Sequence, residues 1–199
     1  MNNVLDLYAR PYNALEPVIC IDEKTKQLLE DIRPSLSPTP GHVNRIDYHY
    51  RRKGTANIFL SVEPKGGTRV TRVTARKRPP DFAQFFVHAV EQYPKAIKVH
   101  VVMDNYTTHL EKCLKKYLGE THPVFDKVVF HFTPTRGSWL NQAEIEIGVM
   151  GAQCLDRRVA SLEILDREVS AWEIERNDLR ATITWKFTKE DAKRVFKIE

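Results

Sequence analysis

Three carboxylates in this 199-residue chain stand where they could share chemistry. Val18-Ile-Cys-Ile-Asp22 and Val99-His-Val-Val-Met-Asp104 are each a short apolar run closed by an acid, the pattern of a buried strand with a carboxylate at its end. The third acid, Glu144, follows His131-Phe-Thr-Pro-Thr-Arg-Gly-Ser-Trp-Leu-Asn-Gln-Ala. That stretch ends a strand, breaks at Thr133-Pro134 and Arg136-Gly137, and is expected to restart as a helix at Ser138, a favoured N-cap residue. Taken singly, each acid reads as a turn former or a surface residue. Together, two strand-end acids and one helix acid form a set of hard oxygen donors suited to a pair of Mg²⁺ ions, with Mn²⁺ a plausible substitute. Such a pair stabilises the attacking and leaving oxygens of an in-line phosphoryl displacement, which points to phosphodiester cleavage or transfer.

The elements that must position these acids follow from apolar runs and breakers. Residues 1–17 read as a lead-in with at most one helical turn. Val18 to Asp22 is the first strand, and Lys24 to Asp31 a short helix or turn. Pro34, Pro38, Pro40 and Gly41 make an irregular connection. Arg45 to Arg52, Thr55 to Glu63 and Arg69 to Ala75 read as an antiparallel meander, with turns at Lys53-Gly54 and at 64–67. Pro79-Pro80-Asp81 opens a helix that Pro94 closes. Ile97 to Asp104 is a strand, Leu110 to Leu118 a helix, Lys127 to Phe132 a strand, and Ser138 to Leu155 a helix. Beyond it lie a helix capped by Ser161, an alternating segment from Thr182 to Phe187, and a capping box at Thr188 and Asp191. The expected architecture is α/β, a ribonuclease-H-like mixed five-stranded sheet flanked by helices, with a short α/β C-terminal extension. Residues 18–158 form its catalytic domain and 159–199 the extension. Ligand sites in such sheets lie at the carboxyl ends of the strands, where Asp22 and Asp104 fall.

Charge is unevenly spread. The formal charge is +5, and residues 45–98 carry twelve Lys or Arg against four Asp or Glu, an excess of eight. A basic middle third suits a nucleic-acid surface or, more blandly, a solvated positive face. Cys20, Cys113 and Cys154 are widely spaced, without a C-x-x-C pair, which fits free thiols in a reducing cytoplasm. Neither a signal peptide nor a membrane-length apolar run is legible.

Asp104-Asn105-x-x-Thr108-His109, His131-Phe-Thr-Pro134 and Ser138-Trp-Leu-Asn141-x-x-Glu144 together resemble the catalytic core of DDE transposases. The nearest pattern is that of the insertion-sequence 630 group, which is related to the mariner transposases. The likeness extends to Tyr8-Ala-Arg-Pro-Tyr12, to Gln153 through Arg158, and to Trp185 through Ala192, and so covers nearly the whole chain. It implies that Asp22, Asp104 and Glu144 are the catalytic, metal-binding triad. It implies a DNA partner (transposon ends and target), a homodimer on DNA, and residence in the bacterial cytoplasm with the nucleoid. Asn105 belongs to the motif. His109 is a candidate for phosphate contact or proton transfer, or else a capping or core histidine. Trp139 and Asn141 are expected to lock the loop that aims Glu144. Arg136 is a DNA-backbone candidate, with Arg51, Arg52, Lys53, Arg76, Lys77 and Arg78 as generic basic positions. Glu23 and Glu146, by strand and helix phase, are expected to be surface groups. The spacing from Asp104 to Glu144 is longer than in mariner relatives, which implies a bulging loop before the last strand. The group's helix-turn-helix region does not precede Asp22, so a separately encoded DNA-reading protein is one expectation. A truncated, non-catalytic remnant that binds DNA or full-length transposase is the alternative.

Overall fold

A computed structural model describes residues 1–33, 39–41, 43, 47–107 and 109–197. The expected strand opening at Arg45 and the prolines 34 and 38 lie outside the described residues. In chain order the elements are α1 (Asn2–Ala9), β1 (Val18–Asp31), β2 (Tyr50–Glu63), β3 (Thr68–Thr74), α2 (Pro79–Glu91), β4 (Val99–Met103), α3 (Glu111–Leu118), α4 (Val124–Lys127) and β5 (Val128–Phe132). A 3-10 turn over Ser138–Leu140 precedes α5 (Ala143–Gln153), α6 (Leu162–Asp178) and α7 (Lys189–Phe196).

The continuous apolar runs do become central strands. The sheet order is β3-β2-β1-β4-β5; β1 runs antiparallel to β2 and parallel to β4, and β4 runs parallel to β5. Every residue of β4 is buried, as a strand covered on both faces requires. Side-chain alternation then builds two cores. Ile19, Ile21, Phe59, Val99 and Val101 pack with α2, α3 and α4 on one face. Cys20, Ile58, Leu60, Val62 and Val102 pack with α1, α5 and α6 on the other. The fold is therefore the expected α/β architecture, a mixed five-stranded sheet between helical layers.

Several local expectations fail for physical reasons. Lys24 to Asp31 is not a helix or turn but the continuation of β1, paired with β2 as a two-stranded ribbon beyond the sheet. Its polar composition reflects exposure rather than helicity. Lys53-Gly54 is not a hairpin turn, since both residues lie inside β2. Leu28 pairs with Gly54 and Leu29 with Arg52, so Lys53 is the extra residue of a β-bulge. Gly54 sits there at φ 109°, a conformation other residues rarely adopt. The lead-in is a real helix: Val4, Leu5, Leu7 and Tyr8 of α1 are buried in the same core as α5 and α6. The length between Asp104 and β5 is taken up by α3 and α4 rather than by a bare bulge. The segment 182–187 keeps its predicted alternation, with Ile183, Trp185 and Phe187 inward, but forms no strand. The capping box at Thr188 and Asp191 forms as the pattern requires.

One buried ion cluster ties α5 to the sheet edge. Arg69 of β3 donates from Nε and Nη2 to the Glu146 carboxylate at 2.9 and 3.0 Å, and Arg176 of α6 adds a contact at 2.9 Å. The Arg69 and Glu146 side chains are wholly buried, so the expectation of a surface Glu146 is corrected. Burial pushes the Glu146 pKa up, but the two guanidinium groups outweigh it and hold the acid below its usual value. Nearby, Asn177 accepts from the Arg69 backbone N–H and donates to the Arg69 carbonyl, and Glu173 accepts from the Thr71 N–H. The outer edge of β3 is thereby paired by α6 side chains instead of another strand.

Removing one member of such a cluster leaves buried charge without compensation, which costs about 3–5 kcal/mol. We expect Glu146→Gln to lower unfolding stability by about that amount, read from urea midpoints. A loss under about 1 kcal/mol would show that the cluster is not closed as described.

Candidate active site

Strand register brings the first two acids level. Ile19 pairs with Val101 and Cys20 with Val102, the last parallel pair, and Asp22 and Asp104 each lie two residues further along their chain segments. There β1 leaves the sheet as a ribbon while β4 ends, the kind of position at which α/β sheets place their ligand crevices. Asp22 shares the face of Cys20 and Val102, on the α5 side.

The turn from β5 to α5 is built from small and strained residues. Arg136 has φ 60°, and a Cβ on Gly137 would meet the Pro134 ring at 2.6 Å, so only glycine fits. Tyr8 of α1 donates to the Leu140 carbonyl at 2.8 Å, fixing the 3-10 turn. The expected cap at Ser138 does not form, because the chain interposes this turn and Asn141 before α5 begins. Asn141 is the pivot. Fully buried, it donates to the Ile21 carbonyl at 2.9 Å and to Asp22 Oδ2 at 3.1 Å, and its own oxygen accepts from the Ala143 N–H at 3.2 Å. One side chain thus joins β1, Asp22 and the first turn of α5, which carries Glu144 on its exposed side. Trp139 packs in an aromatic group with Trp185, Phe187 and Phe196, with ring centroids 5.1 to 6.4 Å from it.

Asp104 is held from the other side. His109 Nδ1 lies 2.5 Å from Asp104 Oδ1, and the Tyr106 N–H donates to the same oxygen at 3.1 Å. His109 is buried, against the ring of Phe82 at 4.3 Å. Its Nε2 meets Glu23 Oε2 at 2.9 Å, and Lys77 pairs with the other Glu23 oxygen. Glu23 is therefore largely buried and engaged, not the expected surface group. Asn105 donates to the Thr133 carbonyl at 3.0 Å, joining the ends of β4 and β5.

Burial, with Glu23, Glu144 and Asp104 adding negative charge, raises the Asp22 pKa to about 7 despite the opposing Glu23 N–H bond. For Asp104 burial acts upward, but the His109 bond and charge prevail and hold it low. Burial disfavours the His109 cation, yet its two carboxylate partners lift its pKa to about 9. Asp22 thus senses both Asp104 and Glu144, although among the described residues no three His, Cys, Asp or Glu side chains converge as a ready metal cluster.

The basic candidates gather at the same end of the sheet. Arg51, Arg52 and Lys53 are exposed on the ribbon beyond Asp22, and Arg76, Lys77 and Arg78 follow β3. Arg136 is exposed in the turn before α5. Arg51 and Lys53 pair with Glu30, and Arg78 with Asp81, all at the surface. The networks of Glu23, Lys77 and Glu146 were not visible in the sequence, because each needs a partner more than forty residues away.

Residues 17–166 match the family described as DDE superfamily endonuclease, and the chain belongs to that family. Among curated proteins none matches. Among solved structures, the Mos1 strand transfer complex aligns with TM-score 0.50 and 13% identity over 90% of this chain and 55% of that one. The HTLV-2 integrase catalytic core domain in complex with magnesium aligns with TM-score 0.45 and 11% identity, over 79% of this chain and 87% of that one. The intasome of simian T-cell lymphotropic virus in complex with PP2A regulatory subunit B56 gamma aligns with TM-score 0.49 and 9% identity, over 74% and 43%. The chain thus spans about half the length of two of these three. No helix of the described residues is long and apolar enough to cross a membrane.

The shared electrostatics of the acids can be measured. In the metal-free protein we expect the Asp22 carboxyl, followed by ¹³C NMR, to titrate near pH 7. Glu144→Gln removes a negative neighbour and should lower that midpoint. An unmoved midpoint would place Glu144 outside the cleft.

Proposed function

We propose that this chain is the catalytic domain of a DNA transposase of the insertion-sequence 630 group, cleaving phosphodiesters at transposon ends and transferring the freed strand to target DNA. What supports the reading is that Asp22 and Asp104 follow the last parallel pair of β1 and β4 and that the Asp22 carboxyl senses the charge of Glu144, inside a DDE endonuclease family match. The donor set fits a divalent cation. Burial and three neighbouring acids raise the Asp22 pKa to about 7, a cost of ionisation that a bound cation would offset. Asp22, Asp104 and Glu144 would hold Mg²⁺ ions, or Mn²⁺ in their place. When bound, a metal pair supplies activation of a water or 3′-hydroxyl nucleophile and neutralisation of the leaving oxygen.

The chain's own residues do the rest. Asn141 keeps Asp22 turned toward α5, and His109 restrains Asp104 by one oxygen. The basic groups on the ribbon, after β3 and at Arg136 bind the DNA backbone along the edge of the cleft, without reading sequence. DNA ends and target are the partners, with a homodimer on DNA and a separately encoded helix-turn-helix protein completing recognition in the bacterial cytoplasm.

The incomplete convergence of the three acids favours a second reading, a remnant that binds DNA or full-length transposase without cutting. One assay separates them. The purified chain should nick supercoiled plasmid when Mn²⁺ or Mg²⁺ is supplied, and Asp104→Ala or Glu144→Gln should bring nicking below detection with the melting temperature kept. Nicking that survives Asp104→Ala sinks the catalytic assignment, whereas binding without any nicking supports the remnant.

A further inference from the structure

Glu23 has no part in the chemistry described so far, yet it is the best-buried end of a continuous chain of contacts. Strand alternation turns it away from Asp22, its neighbour in β1, onto the opposite face of the sheet. There its carboxylate is 8% exposed, with one oxygen 2.9 Å from His109 Nε2 and the other paired with Lys77. The Lys77 ammonium also lies 4.3 Å from the centroid of the Tyr106 ring. His109 is fixed on its flat side by Phe82 and on its far nitrogen by Glu23. Its near nitrogen can then reach Asp104 in one orientation only.

The result at Asp104 is asymmetric. Both the His109 ring and the Tyr106 N–H act on Oδ1, and among the described residues no hydrogen bond reaches Oδ2. A carboxylate that rotates freely offers a cation either oxygen in many orientations. One clamped at a single oxygen offers the other in a fixed direction, which lowers the ordering cost of coordination. We propose that Glu23 is a positioning residue for metal binding, acting through His109 to hold Asp104 Oδ1 and leave Oδ2 free for the cation. This rests on the reading of Asp104 as a metal ligand. A merely structural Glu23 would stabilise the fold without any effect on the metal.

The test measures Mn²⁺ affinity by calorimetry on the full chain, with metal-free melting temperature as the folding control. Outer-shell partners of a metal site typically contribute about 10–100-fold in affinity, and Glu23→Ala should weaken Mn²⁺ binding by that factor. Glu23→Gln should largely restore it, because the amide oxygen still accepts from the ring. If Glu23 acts through His109, the double variant with His109→Ala should bind no more weakly than His109→Ala alone. Should Glu23→Ala fold poorly, Glu23→Thr takes its place, since threonine suits a strand but is too short to reach the ring. Equal Mn²⁺ affinity in the unsubstituted and Glu23→Ala chains, or additive losses in the double variant, overturns the proposal alone. Absence of Mn²⁺ binding by the unsubstituted, folded chain overturns the metal reading and the proposal with it.

Discussion

The buried contact between Arg69, Glu146 and Arg176 is the constraint on which the site depends. Charges taken out of water interact strongly but are expensive to desolvate, so such a cluster seldom stabilises a fold more than well-packed apolar groups would. What it supplies is a unique arrangement, because Glu146 is compensated only when α5, β3 and α6 stand in one relation. Successive helical residues turn by about 100°, so Glu144, two positions earlier, lies on the far side of α5 from Glu146. Fixing one acid inward therefore fixes the other outward, beside the cleft. Pairing of the β3 edge by Asn177 and Glu173 braces the same joint from the α6 side.

A second constraint comes from the period of the strand. Asp22 and Glu23 are adjacent acids of one type, yet alternation sends them to opposite faces. Asp22 enters a carboxylate-rich cleft without a cation among its described contacts, and its proton is held to about pH 7. Glu23 meets an imidazole and an ammonium, and although burial acts upward its pKa is held below the usual value. Environment, not residue type, divides the two roles.

How much of this was legible in the sequence depended on where each signal resides. Asp104 after β4, and Asp22 where β1 passes beyond its parallel partner, could be read because the buried part of a strand is a continuous apolar run. The parallel core and the helix carrying Glu144 followed from the same local patterns. The β1–β2 ribbon was missed because β1 turns polar from Glu23 to Gln27, with Thr25 and Gln27 exposed, and such a stretch has no hydrophobic period to show. The helix α1 was missed because two prolines and a short apolar stretch hide a face that only Trp185 and the α5 core complete. Glu23 and Glu146 were misplaced for a deeper reason. Phase arguments report which way a side chain points, but not whether a cation from a distant element waits there.

The sheet also sorts charge by position. Antiparallel β2 begins, and β3 ends, on the side where β1 and β4 deliver their acids, so topology carries Arg76 to Arg78 toward the acids and sets Arg51 to Lys53 further out on the ribbon, opposite Leu29 and Glu30. The turn out of β5 adds Arg136 at that edge. A polyanion approaching this end meets positive charge first and acid last, and long-range attraction is screened within about 8 Å at physiological salt. Cations at the rim can therefore hold a phosphate backbone without cancelling the repulsion at the centre. On the proposed function, a DNA strand would be kept from the acids until their charge is offset, which makes occupation of the carboxylates a condition for productive contact.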